Sequence, residues 1–237
     1  MNARFSISRL FVAMLLLVGA HTSRGQQDPL YSQYMFNTLA FNPAYAGSAD
    51  VFTVMALSRH QWVGFDGAPA TQTVLAHTPL KARNLALGFS AINDKIGPSH
   101  QTGVYGDFAY RIKTGDDSRL SFGLKGGMNI YQADLASLTS VEVDPANVNV
   151  SGQLLPNFGF GLYWHGPRYY LGASTPKLLE NKMGTVSSNV LVQSNEARHY
   201  FLIGGYVFDL SRDLKFKPSF MFRTVEGAPF SLDLNAS

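Results

Sequence analysis

Apolar and polar residues alternate along most of this chain beyond residue 50. The clearest example is residues 119–131 (RLSFGLKGGMNIY), where Leu120 and every second residue after it would share one face of an extended strand, with Lys125 on the other face. A helical period would scatter the polar side chains among the apolar ones, and the adjacent glycine pair would weaken a helix. The segment is longer than a usual soluble strand of about five or six residues and suits a tilted membrane-spanning strand of roughly 9–11.

The same alternation predicts about ten strands. They are expected near residues 51–58, 70–78, 84–93, 101–112, 119–131, 156–165, 168–175, 198–208, 214–224 and 229–236. Pro218 would fall on the apolar face of the ninth strand, and because proline cannot donate to a ladder, a bulge or local break is expected there.

Short and long connections alternate between these strands. The short connections are PLKAR, KTGDDS, the turn at Gly166-Pro167 and DLSRD; the long ones are SRHQWVGFDGAP, DKIGPSH, Gln132–Leu155 and Pro176–Ala197. Transmembrane barrels have short periplasmic turns and longer outer loops. The sequence therefore predicts an all-β fold, a transmembrane antiparallel up-and-down β-barrel with its mature N-terminus in the periplasm. A soluble β-sandwich also alternates, but the long strands and their aromatic ends favour the membrane barrel.

The N-terminus has the pattern of a secretory leader. Arg4 and Arg9 precede an apolar run over residues 10–20, and Ser23 and Gly25 satisfy the small-residue positions of a cleavage site. A membrane anchor is the alternative, but the run is well short of about 20 residues. We expect a signal peptide at residues 1–25, a plug or periplasmic lead-in at residues 26–50, and the barrel at residues 51–237.

Removal of this leader changes the charge of the chain. The full sequence has 19 Lys and Arg against 16 Asp and Glu, and the leader contains three arginines and no acid. The mature chain is therefore neutral, and a nucleic-acid partner, which needs a basic surface, is not expected. The absence of cysteine excludes disulfides, thiolate metal sites and thiol nucleophiles.

No constellation of catalytic or metal-ligating residues emerges. The histidines beyond the leader lie far apart, at no metal-ligand spacing, and no nucleophile elbow occurs. Gly159, Gly161 and two glycine pairs fall inside strands, where close packing or curvature explains them better than a phosphate loop. No cofactor, metal site or catalytic residue is predicted, and an outer-membrane hydrolase lacks a convincing nucleophile and base.

The loop from His60 to Pro69 is the one candidate site. Trp62 and Phe65 are large apolar groups in a connection that glycine and proline would shape, which is a common form of interface. The alternative is an aromatic girdle residue followed by a tight turn. The residues predicted to contact a partner or shape the loop are Gln61, Trp62, Gly64, Asp66, Gly67 and Pro69.

Two stretches resemble a known family. DPLYSQYMFNTLAFNPAYAGS, residues 28–48, resembles the opening of the PorP/SprF family of the type IX secretion system, and HQWVGFDGAPATQT, residues 60–73, resembles its second signature. The resemblance implies an outer-membrane barrel that supports secretion or surface attachment of exported proteins, including gliding adhesins. Its implied partners are outer-membrane lipid, other type IX secretion components, and exported cargo or adhesin domains.

Two expectations remain alongside this resemblance. A passive porin is the alternative function, although the predicted lumen face is often Gly, Ser, Ala or Tyr where a porin should carry many charges. Family members continue beyond the segment that matches DLNAS, so the barrel is predicted to be truncated at its C-terminal end. The strands near Val51 and Phe230 are then not expected to pair with each other.

Overall fold

The computed structural model of the chain describes residues 34–81, 84–137, 149–187, 190–212, 214–226 and 229–237. At residues 185–187 and 190–194 it describes the backbone alone. The predicted leader, residues 1–25, and the first part of the predicted plug or lead-in, residues 26–33, lie outside the described residues.

Ten antiparallel strands form one sheet in which each strand pairs with the next one along the chain that belongs to the sheet. They are β1 (Thr53–His60), β2 (Ala70–Pro79), β3 (Leu85–Ile96), β4 (Ser99–Lys113), β5 (Arg119–Ala133), β6 (Val150–His165), β7 (Tyr169–Thr175), β10 (His199–Tyr206), β13 (Pro218–Val225) and β14 (Ser231–Ala236). The prediction of ten strands in up-and-down order is confirmed.

Two smaller strand pairs interrupt this order. The hairpin of β8 (Lys182–Ser187) and β9 (Val190–Asn195) lies within the predicted outer loop, and β11 (Phe208–Asp209) pairs with β12 (Lys215–Phe216) across the predicted short connection DLSRD. The sequence analysis missed the hairpin. The break predicted at Pro218 is confirmed, because β12 ends at Phe216 and β13 begins at the proline.

One predicted long connection is wrong. DKIGPSH was expected to be a loop, but β3 continues through Ile96 and β4 begins at Ser99. The turn is only Gly97-Pro98, and it can be this tight because Gly97 adopts φ +55°, which glycine reaches without steric cost.

The sheet buries its polar face and exposes its apolar one. On β5, Lys125 is 4% exposed and Asn129 3%, whereas Leu124 is 63% and Met128 47% exposed. A soluble sandwich buries the apolar face. The opposite arrangement is that of a membrane-barrel wall with a polar interior, so the predicted fold class is confirmed.

A short N-terminal segment fills the concave polar side of this wall. Residues 34–50, here called the plug, contain the helix α1 (Thr38–Phe41) and a 3-10 turn at Pro43–Tyr45, and almost all of them are buried up to Gly47. The Asn42 side chain accepts a hydrogen bond from Ala44 N and begins the 3-10 turn, with Pro43 at its first position. The described part of residues 26–50 therefore packs against the inner face of the wall.

Plug and wall share two apolar clusters. Each combines side chains of the plug with inward side chains of the strands. The first contains Tyr34, Phe41, Ala44, Tyr163, Ile203 and Met221, and the second contains Leu39, Ala40, Ala46, Leu75, Ala86 and Ala109. In the described part of the chain, both buried apolar clusters therefore lie between the plug and the wall.

Inward glycines let the plug backbone approach the wall. A Cβ atom on Gly123 would overlap the backbone of Pro43 and Ala44, and one on Gly161 would overlap the Asn42 side chain. Close packing, which the sequence predicted for Gly161, is confirmed. The lumen face is small at these positions because the plug occupies the space.

The described strands form an open sheet. β1 and β14 are its two edges, and no ladder joins them in the described part of the chain. The prediction that the strands near Val51 and Phe230 do not pair with each other is confirmed. Among the described helices, none is long and apolar enough to cross a membrane.

Gly123→Ala should destabilise the protein, because the added methyl group meets the plug backbone. Overpacking of this kind typically costs about 1–3 kcal/mol of unfolding free energy. Gly126→Ala on the same strand is the matched control, since its Cβ would make only an ordinary contact with Phe158. Chemical unfolding in detergent micelles measures both. Equal stability of the two variants would show that the plug does not press against Gly123.

Candidate functional site

The predicted site loop is a compact turn between β1 and β2. Gln61 N donates to Pro69 O at 3.0 Å, which closes the base of the loop. Phe65 N donates to Trp62 O at 3.1 Å, and Ala68 N donates to Phe65 O at 3.2 Å, so that two successive turns fold the loop tip. The loop therefore has a defined shape.

Positive backbone angles explain why glycine occurs in this loop. Gly64 has φ +102° and Gly67 has φ +74°, both in the region that glycine favours, and Trp62 also has φ +48°. Gly97 N of the adjacent turn donates to Gly67 O at 2.8 Å. These contacts fit the loop-shaping role predicted for Gly64 and Gly67.

The loop presents its apolar side chains to solvent. Trp62 is 71% exposed, Val63 84% and Phe65 76%. Asp66 is also exposed, and Gln61 and Pro69 are partly buried at the base. The six predicted residues thus lie together on one loop, and the structure adds Val63, which its position beside Trp62 could have indicated.

A row of polar side chains separates this loop from the apolar band of the wall. Outward Ser58 on β1 pairs in register with Gln72 on β2, whereas the next outward positions toward the plugged half are Ala56 and Val74. At about 3.3 Å per residue, Trp62 lies some four residues, or roughly 10 Å, beyond Ser58 along the tilted strand. An aromatic girdle adjoins the apolar band. Trp62 therefore lies on the loop side of Ser58 and Gln72.

The inner face of the wall also carries polar contacts, and the first cluster is centred on Asp50. Asp50, at the end of the plug, forms ion pairs with Arg111 on β4 and Arg119 on β5. Arg111 is 2% exposed, and its carboxylate partner Asp50 is held at φ +58°. Burial alone would raise the pKa of Asp50, but the hydrogen bonds and charges of both arginines outweigh it and hold the pKa below its usual range.

Lys125 connects the middle of the wall to the plug. Its Nζ lies 2.9 Å from the Asp107 carboxylate, and both side chains are buried. The same ammonium group donates to the Leu39 carbonyl of the plug at 3.2 Å and to Ser90 Oγ at 3.3 Å. A buried charge needs such partners, so the plug helps to hold the lysine in the lumen.

Glu196 forms the third polar cluster, toward the outer ends of the strands. It is 2% exposed and accepts from Asn129 Nδ2 at 3.0 Å, Asn157 Nδ2 at 3.0 Å and Asn181 Nδ2 at 2.8 Å. Lys177 Nζ lies 3.0 Å from Glu196 Oε1, the oxygen that also accepts from Asn129. Four donors thus satisfy one buried carboxylate.

These clusters show that the inner face also carries charged side chains beside the Gly, Ser, Ala and Tyr residues expected there. Asp94, Asp107, Arg111, Lys125, Glu196 and Arg223 are all buried. The sequence contained a signal for the strand residues, because they fall on the polar face of the alternation. Their pairing could not be read from it, since the partners come from distant strands and from the plug.

A cavity of about 60 Å³ lies above the plug. Ala40 and Phe41 form part of its wall, together with Phe201 and the polar residues Asn129 and Lys177. Within the described residues, no group of three His, Asp or Glu side chains is placed to hold a metal ion.

The matching family agrees with this architecture. A family model described as the type IX secretion system membrane protein PorP/SprF matches residues 23–237. The chain belongs to this family. As a PorP/SprF protein it is a membrane component of the type IX secretion system, and the resemblance noted in the sequence is confirmed. No curated protein and no solved structure matches the chain.

In this PorP/SprF protein, Asp50→Asn should loosen the plug, because buried Arg111 loses its carboxylate partner. Asp50 is half exposed, so the expected loss is about 1–2 kcal/mol of unfolding free energy at neutral pH. The lowered pKa means that the ion pairs stabilise the protein above about pH 4 and that this stabilisation is lost as the pH falls through the lowered value.

Chemical unfolding at neutral and acid pH checks this expectation, with Asp117→Asn in an exposed turn as the control. The wild-type protein and the Asp50 variant should converge in stability at acid pH. A difference that stays constant from pH 7 to pH 3 would contradict the role of the Asp50 charge.

Proposed function

We propose that the chain is a non-enzymatic outer-membrane component of the type IX secretion system that supports secretion or surface anchoring of exported proteins such as gliding adhesins. In this proposal residues 1–25 direct export across the inner membrane and are removed, and residues 51–237 form the membrane wall. Its partners are outer-membrane lipid, other type IX components and the exported proteins themselves.

The plug is the observation that carries this proposal. It fills the inner side of the wall and supplies partners for Arg111 and Lys125, which in an open channel would face water. A passive porin remains the alternative function. The charged side chains on the lumen face support a porin more than the sequence alone did. The plug supports the binding role, because its apolar clusters and ion pairs fix it where a permeant solute would have to pass.

The loop at residues 61–69 is the proposed contact for an exported protein. Exposed apolar side chains in a shaped loop are typical anchors of interfaces. With long connections outside, this loop faces the cell exterior, where exported proteins emerge or remain attached. Trp62 and Phe65 would provide buried area on contact, while Gly64 and Gly67 hold the loop in the presenting shape.

Trp62→Ala should reduce surface display of an exported protein, because it removes the largest exposed apolar group of the loop. A hot-spot tryptophan typically contributes about 2 kcal/mol or more, so recovery of the bound protein should fall more than tenfold. The measurement is co-purification of exported proteins with the barrel from membranes, identified by mass and compared at equal barrel amount.

Trp164→Ala is the matched control, because Trp164 is the other tryptophan of the chain and lies at the opposite end of the wall, 41% exposed. It should leave display and co-purification unchanged. Normal co-purification with Trp62→Ala would remove the loop from the site. Absence of any exported protein from the wild-type preparation would reject the proposed function itself.

A further inference from the structure

Two neighbouring strands of the wall, β7 and β10, are short. β7 has 7 residues and β10 has 8, whereas the neighbouring β6 has 16. At about 3.3 Å per residue and a tilt near 40°, seven residues rise about 18 Å, less than the apolar band of roughly 25 Å. The β7 ladder therefore does not cover β6 through the outer part of the membrane.

The outer half of β6 is consequently a sheet edge. Its ladder with β7 stops at the pair Phe160 and Thr175, and β6 continues outward to Val150 without it. Pro156 lies in this outer half and has no N–H group to give a neighbouring strand, as expected at an edge. The unpaired backbone groups need another partner inside a membrane.

Amide side chains bind a peptide segment along this edge. Asn157 Oδ1 accepts from Leu178 N at 2.9 Å and Leu179 N at 3.0 Å, and Asn157 Nδ2 donates to Leu179 O at 2.9 Å. Gln153 Oε1 accepts from Gly184 N at 3.1 Å, and its Nε2 donates to Lys182 O at 2.7 Å. Each amide thus bonds both the N–H and the C=O groups of a polypeptide.

Two backbone carbonyls of β6 take part in the same contact. Phe158 O accepts from Leu178 N at 2.8 Å, and Pro156 O accepts from Asn181 Nδ2 at 2.9 Å. Six of these seven bonds go to main-chain groups of residues 178, 179, 182 and 184, and the seventh joins Pro156 O to the Asn181 side chain. The consecutive amides of Leu178 and Leu179 both reach Asn157 Oδ1, so the segment is bent there. Another polypeptide segment in the same conformation would offer the same main-chain groups.

Glu196 holds this segment in place. Its carboxylate binds Asn157 of the wall and both Asn181 and Lys177 of the covering segment. The cavity of about 60 Å³ adjoins the segment at Pro176 and Lys177, and it provides space for a side chain beside the bound peptide. The covering segment is therefore held on β6 by one buried carboxylate more than by a strand ladder.

We infer that the edge of β6 from Gln153 to Phe158 is a binding site for the main chain of a polypeptide segment of an exported protein. In the absence of an exported protein, this chain's own residues 177–184 occupy the site, and the contacts with Glu196 hold them there. The identity of the partner as an exported protein rests on the proposed function. The binding chemistry rests on the two amides and on Phe158 O, which bond main-chain groups of the occupying segment.

Site-specific photo-crosslinking in secreting cells tests this inference. The crosslinking amino acid p-benzoylphenylalanine replaces Phe158, which is 58% exposed at the site, or, as the control, Phe122, which is 44% exposed where β5 is paired on both sides. Position 158 should crosslink to an exported protein, and position 122 should not.

Glu196→Gln should raise the crosslinking yield at position 158 severalfold, because glutamine keeps the volume but loses the ion pair with Lys177. Lys177→Gln removes the same ion pair from the other side, and it serves if the first variant fails to reach the membrane. An unchanged yield in both variants would reject the self-occupied state of the site.

The outcomes separate this inference from the proposed function. Exported proteins that co-purify with the barrel without crosslinking at position 158 in any background would overturn the β6 site while the proposed function stands. Equal crosslinking from positions 158 and 122 would also overturn it. If no exported protein co-purifies, the proposed function fails and the site loses its assigned partner.

Discussion

Charges on the inner face of a membrane wall need partners, and the rest of this structure depends on that constraint. Lys125, Arg111 and Glu196 are buried with little access to water. A buried ion without a partner costs several kcal/mol, so each one fixes the segment that compensates it. Asp50 at the end of the plug pairs with Arg111, and Lys177 of the outer segment pairs with Glu196. Lys125 pairs with Asp107 of the wall and also donates to the Leu39 carbonyl of the plug. Polar contacts therefore join both the plug and the outer segment to the wall.

The strand order was readable because alternation is a local property. Residues 119–131 have a period of two whatever surrounds them, and a membrane wall requires that period on every strand. The inner contacts were not readable, because Asp50 and Arg111, or Asn129 and Glu196, are distant in sequence and meet only where the plug and the outer segment pack against the sheet. The hairpin of β8 and β9 was missed because its strands are short and leave no long apolar face.

The candidate loop was readable in part. Glycine and proline spacing identified a shaped turn around Trp62, and the structure adds the hydrogen bond from Gly97 N to Gly67 O that ties it to the next turn. The position of the loop beyond Ser58 and Gln72 could be seen only from the register of β1 with β2. The peptide-binding edge of β6 had one signal in the sequence, Pro156 inside a strand, and its meaning depended on knowing how far β7 extends.

Amide hydrogen exchange of the membrane-inserted protein tests the central claim most directly, that the plug is a fixed part of the wall. Its buried backbone bonds, such as Asn42 N to Thr38 O, should exchange as slowly as the amides of β5 and β6, and far more slowly than those of the exposed turn at residues 114–118. Exchange of residues 38–46 as rapid as that of the turn would contradict the account, because a plug that opens freely cannot hold the buried charges of the lumen.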